Sequence, residues 1–190
     1  MIALYIKSFH GTNVTGKDKI LSDSFRIKIP VLANQTNKKA PGSLGYGFYT
    51  FTDGLLDARR LAYEFSRKFN NDSVVVIKVA SSIEETNLLD LNDDDSKNDY
   101  RAFYNQTVRA AKNICKNKNL RINNRKQHVF DGVVLELYVK YLETKKNIVV
   151  KGIIHDTVTA IGEDGLSDIE NSREFCIRSI DIIQKLKEEV

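Results

Sequence analysis

Two cysteines and three histidines are all the thiol and imidazole chemistry this 190-residue chain holds. Cys115 and Cys176 lie far apart and form no Cys-x-x-Cys pair, so neither a disulfide framework nor a structural zinc site is expected. The corresponding expectations are a reducing, cytoplasmic setting and a chemistry without metal. No apolar stretch approaches the roughly 20 residues that cross a bilayer. Residues 1–7 become charged too soon to read as a signal peptide. Hydrophobic residues at 42% and charged residues at 28% suit an ordinary soluble domain, and 190 residues suffice for one substantial core but are marginal for two. One domain over 1–190 is therefore expected, without internal repeats.

The net charge of +4 does not by itself imply a nucleic-acid partner, but its distribution is uneven. Residues 84–99 carry seven acids against one lysine, and residues 109–126 carry seven bases and no acid. The basic stretch reads either as a solvated helix and loop or as a surface that holds phosphate. Tyr100, Phe103 and Tyr104 just before it add aromatic faces of the kind that stack on unpaired bases.

Alternating apolar residues predict a strand over 2–9, a turn over 10–15 and a short helix over 17–22. Residues 24–29 have strand character with Pro30 closing them, and 34–45 read as a mobile loop rich in Asn, Lys and Gly. A strand over 46–52 precedes a helix whose N-cap is placed at Asp53. Residues 73–80 predict a strand buried on both faces, and an acidic loop anchored by Leu88, Leu89 and Leu91 leads to a helix over 97–116. Residues 131–141 suit either a strand or a helix. Strands are expected over 147–155 and 174–179, separated by a polar loop over 157–171, and an amphipathic helix over 180–189. The element order gives an α+β domain.

Three distant stretches carry the chemistry: Phe9-His10-Gly11-Thr12, then Gly47-Phe48-Tyr49-Thr50-Phe51-Thr52-Asp53, and finally Arg173-Glu174-Phe175-Cys176-Ile177-Arg178-Ser179. Each has an ordinary structural reading as a hydrogen-bonded strand end, an aromatic core strand and a solvated strand end. Strand alternation puts Phe48 and Tyr49 on opposite faces, so one can pack in the core while the other meets a cleft. In this order the three stretches resemble the NAD-gripping core of the ADP-ribosyltransferases. The likeness is to the H-Y-E type, with a diphtheria-toxin-like and poly-ADP-ribose-polymerase-like core, and to small bacterial His-Gly-Thr proteins of that superfamily. It covers nearly the whole chain in element order and is sharp only in the three stretches.

The resemblance implies a split mixed β-sheet with flanking helices and NAD as substrate. It assigns His10, Tyr49 and Glu174 as the catalytic triad. His10, with Gly11 and Thr12, would grip ribose and nicotinamide amide groups. Gly47, Phe48 and Tyr49 would form the nicotinamide strand, with Tyr63 supplying an opposite aromatic face. Glu174 would reach the nicotinamide ribose. Relatives often carry glutamine at the position of Glu174, and glutamate here favours an active enzyme. Ser172 stands where arginine-modifying toxins carry a second glutamate, so arginine is disfavoured as the acceptor. Residues 84–131 are left as a family-variable insert for target recognition. A bacterial toxin or phage-defence factor acting on RNA, DNA or protein, with an antitoxin as partner, follows by analogy. Two other readings stay open: a catalytically silent NAD-binding or interaction module, and a small nucleic-acid-binding protein or ribonuclease using His10, His128 and Glu174.

Overall fold

A computed structural model describes residues 2–32, 39–70, 73–120, 128–159 and 170–189. Among the described residues, seven strands form one mixed sheet in the order β4-β5-β6-β2-β1-β3-β7. The strands are β1 (Ala3–Asn13), β2 (Phe48–Thr52), β3 (Val74–Glu84), β4 (Leu88–Asp90), β5 (Gly152–Thr157), β6 (Ser172–Ile177) and β7 (Ile183–Glu189). The described residues also form the α-helices α1 (Val14–Ile20), α2 (Ala58–Arg67), α3 (Asp94–Asn117) and α4 (Val129–Lys145). Only β4 and β5 run parallel; the other neighbours are antiparallel. The fold is α+β.

One row of residues crosses the sheet in register. His155 faces Glu174, Glu174 faces Phe51, and Phe51 faces Phe9. Directly opposed residues project to the same side of a sheet. On that side Phe9 and Phe51 pack against Leu61 and Ala62 of α2, while Ile153 and Cys176 pack against Leu135, Val139 and Leu142 of α4. Phe48, Phe175, Ile177 and Ile154 build the core of the opposite side with Ile77 and Val79. The helices α2 and α4 therefore flank a central stretch of sheet that neither covers.

Several sequence expectations are corrected. No turn follows Phe9, because β1 continues to Asn13 and holds His10 opposite Ile77 and Gly11 opposite Val76. Asn13 then caps α1, its side chain accepting from the Gly16 amide. Residues 24–29 form no strand; Arg26 instead donates to the carbonyls of Asp23 and Phe25, local bonds that compete with a ladder. Asp57, not Asp53, caps α2, and Asp53 pairs with Lys7 at 3.0 Å. The acidic stretch contributes β4 and the first turn of α3 rather than a loop alone. Residues 131–141 lie within the helix α4.

The last segment is a short 3-10 turn and then β7, not a helix. β3 is 11 residues long, and β1 satisfies only one of its edges. Residues 183–189 pair with the other edge, and Ile183 and Leu186 pack against the core beneath it. Parts of the 34–45 and 157–171 loops, and all of residues 121–127, lie outside the described residues.

Gly11 marks a tight approach between β1 and α2: a Cβ there would come within 1.9 Å of the Ala62 carbonyl oxygen. Gly11→Ala is expected to cost roughly 3 kcal/mol by overpacking. Thermal unfolding should then fall by about 6–12 °C at this chain length; an unchanged midpoint would show that α2 can slide outward freely.

Candidate active site

A cleft of about 800 Å³ opens over the uncovered stretch of sheet. Its floor includes Tyr49, Phe51, Glu174 and His155, with His10 and Gly11 at the β1 side. Phe65 and Phe69 line it from α2 and the residues just beyond, Tyr100, Tyr104 and Arg101 from α3, and Asp131 and Leu135 from α4. A volume of this size suits a ligand larger than a single nucleoside.

β1 and β2 pair at only two positions, Ser8–Thr52 and Phe9–Phe51. Beyond them His10 bridges the strands: its Nδ1 donates to the Tyr49 carbonyl oxygen at 2.7 Å. A carbonyl can only accept, so Nδ1 carries the hydrogen and, in the neutral ring, Nε2 keeps its lone pair. Burial lowers the His10 pKa, with the Tyr49 bond partly opposing, so the ring is neutral at physiological pH. Phe48 lies behind it, ring centroids 4.5 Å apart. Phe48 is therefore a wall for His10 rather than a surface of the cleft.

The Tyr49 hydroxyl both donates and accepts within the neighbouring turn. It donates to the Gly45 carbonyl at 2.7 Å and accepts from the Leu44 amide at 2.8 Å, which leaves the ring as its contribution to the cleft. These bonds pin a tight turn in which Gly42 and Gly45 exchange backbone hydrogen bonds. Gly45 sits at φ +81°, a conformation that residues with a Cβ adopt at a cost. Burial raises the Tyr49 pKa well above that of a free phenol.

The same turn carries Ser43, whose Oγ donates to Glu174 Oε2 at 2.9 Å. Burial raises the Glu174 pKa, with the Ser43 bond opposing it. A carboxylate at the floor of a largely apolar cleft is costly when ionised, and such placement is common in catalytic sites. A buried ion pair holds the turn from beneath. Arg178 Nη2 donates to Glu136 Oε2 of α4 at 3.1 Å, Glu136 Oε1 accepts from the Tyr46 amide at 2.6 Å, and Arg178 Nη1 donates to the Tyr46 carbonyl at 3.0 Å.

His10, Gly11, Tyr49 and Glu174 thus border one cleft. Gly47 and Thr12 do not. Gly47 lies against Cys176 and Ile177 of β6, and Thr12 packs beside Gly16 of α1. Tyr63 is 41% exposed and lines a separate shallow depression with Arg59 and Arg60. It stands two residues from Phe65, about 200° away around a helix, and Phe65 takes the cleft-facing place given to Tyr63. Of the aromatic trio on α3, Tyr100 and Tyr104 reach the cleft, whereas Phe103 packs on Tyr138 and Tyr141. Arg121, Arg125 and Lys126 of the basic stretch lie outside the described residues, while Lys118 is buried.

Sequence reasoning passed over Ser43 and His155 as site residues. Ser43 stands just before the Gly47–Asp53 stretch, but its bond to Glu174 left no signal, because that partner is 131 residues away. His155 was visible only as the end of a strand.

No protein-family model matches the chain, nor does any curated protein sequence or solved structure. Among the described residues, no helix is long and apolar enough to cross a membrane, and no group of three or more His, Cys, Asp or Glu could hold a metal ion.

Proposed function

We propose that this chain is an NAD-dependent mono-ADP-ribosyltransferase of the H-Y-E type, with a split-sheet ADP-ribosyltransferase-like domain. The observation that carries this is the convergence of His10, Tyr49 and Glu174, from three strands, on one cleft. Breaking the nicotinamide–ribose bond expels neutral nicotinamide and leaves positive character on the sugar. Catalysis then asks for a fixed dinucleotide pose and a carboxylate where that charge develops.

The residues divide these tasks. His10 Nε2 accepts from a ribose hydroxyl of NAD, its tautomer fixed by the Tyr49 carbonyl. The Tyr49 ring, held in place by Leu44 and Gly45, provides an aromatic face for nicotinamide, and Phe65 and Phe69 supply apolar surface across the cleft. Glu174 accepts from the nicotinamide ribose and stabilises the oxocarbenium character there. Lys97 and Arg101, from the stretch between 84 and 131, line the same cleft and bring positive charge to the acceptor side. The acceptor is a nucleic acid or a protein, and a cytoplasmic toxin or defence role, with an antitoxin partner, accords with a compact enzyme of this design.

Incubation with NAD labelled in the adenosine and a cell lysate tests the reading. Label transferred to isolated RNA, DNA or protein, with stoichiometric free nicotinamide, is the expected result. NAD binding without nicotinamide release would instead assign an inactive NAD-binding module, and RNA cleavage without NAD would assign a ribonuclease.

A further inference from the structure

We infer that His155 is a catalytic residue of this cleft, the general base that takes the proton from the attacking acceptor hydroxyl or water; this rests on the transferase reading above. His155 and Glu174 are direct cross-strand partners, and both line the cleft. Opposed residues on one face have Cβ atoms about 5 Å apart. A nucleophile approaching a sugar held by Glu174 therefore meets His155.

The tautomer follows from the hydrogen bonds around Asn92, in the turn between β4 and α3. Asn92 Oδ1 accepts from the Asp156 backbone amide at 2.8 Å, and an amide N–H can only donate. That fixes Oδ1 as an acceptor, so His155 Nδ1, 3.2 Å away, is the donor. The neutral ring then carries its lone pair on Nε2, the form required of a base.

Burial, helped by Lys97, favours the neutral ring against the acids around it. Burial lowers the His155 pKa; Glu170, Asp156 and Asp90 raise it and Lys97 of α3 lowers it further, with burial the largest influence. Asp156 is itself occupied by Arg173, which donates to its two oxygens at 2.6 and 2.9 Å. Glu174 from β6 is the remaining acid opposite the ring.

The step balances. The bond between nicotinamide nitrogen and ribose C1′ breaks, and its electron pair leaves with the ring, which becomes neutral nicotinamide. The acceptor oxygen forms the new bond to C1′ while its proton passes to His155 Nε2. The imidazolium returns that proton to solvent.

The test uses the whole protein and follows nicotinamide release from NAD with water as acceptor, with and without sodium azide. Azide attacks as an anion and needs no base. In His155→Gln, release with water should fall about 100-fold, the lower range for lost base catalysis, while azide should restore release to near the wild-type rate and yield ADP-ribosyl azide. In wild type, release with water should decline with falling pH only below the usual histidine range. Asn92→Asp places a carboxylate at Nδ1 and should move that decline to higher pH. Wild-type rates with water in His155→Gln, or a variant that azide fails to rescue, overturn the role of His155 alone. No nicotinamide from the wild-type protein with water, azide or lysate overturns the transferase reading and this role with it.

Discussion

Glu174→Ala is expected to lower nicotinamide release by about 100- to 1000-fold or more, the loss that follows removal of a group aimed at developing charge. Circular dichroism should show an intact fold. Glu174→Gln separates charge from shape, because the amide oxygen can still accept from Ser43. It should be comparably inactive, yet at least as stable as wild type at pH 7. The folded carboxyl titrates above its ordinary 4.5 because burial penalises the ion. The folded protein thus binds a proton more tightly than the unfolded chain does. Wild-type stability declines as pH rises through the folded pKa, and the glutamine variant escapes that decline. Below the ordinary value both states are protonated and the advantage disappears. Thermal melts of the two proteins at pH 4 and pH 7 would show this; retained turnover in Glu174→Ala would remove the residue from the site.

The second large effect lies away from the chemistry. Glu136→Ala should destabilise the protein by about 3–5 kcal/mol, because it leaves the Arg178 guanidinium buried without its partner. Both side chains are only 7% exposed, so solvent offers little relief. The Tyr46 amide loses its acceptor at the same stroke. Replacing both partners, Glu136→Leu with Arg178→Met, should cost less than the single change, since no charge is stranded. Urea unfolding of the single and double variants measures the difference. Turnover should fall in all of them, as the turn that presents Ser43 to Glu174 loses its lower support. Equal stability of single and double variants would show that the guanidinium finds water.

Local pattern made β1, β2, β3 and α3 readable: β1 alternates, β2 is aromatic and β-prone, β3 is a short apolar run, and α3 repeats at helical spacing. α4 was ambiguous for a physical reason: its buried positions run around the helix from Val129 to Leu142, so no polar face marks a 3.6-residue period. β7 looked helical because lysines and glutamates crowd its exposed positions, while its state depends on a free edge of β3 some hundred residues earlier. The motifs singled out His10, Tyr49 and Glu174, and all three border the cleft. What they touch was not legible. The Ser43 bond to Glu174, the place of His155 opposite it and the outward rotation of Tyr63 all follow from strand register and helix phase, which no short stretch encodes.

The position of β6 sets the order in which the site can come into being. It lies between β2 and β5, so these strands have no common neighbour until residues 172–177 are in place. The partners it joins are far back in the chain, and such distant pairings close late and slowly. During synthesis β1, β2 and β3 can associate while the cleft still lacks its acid and half its floor. The cleft is therefore completed only once residues 172–177 have been made and have paired with both β2 and β5.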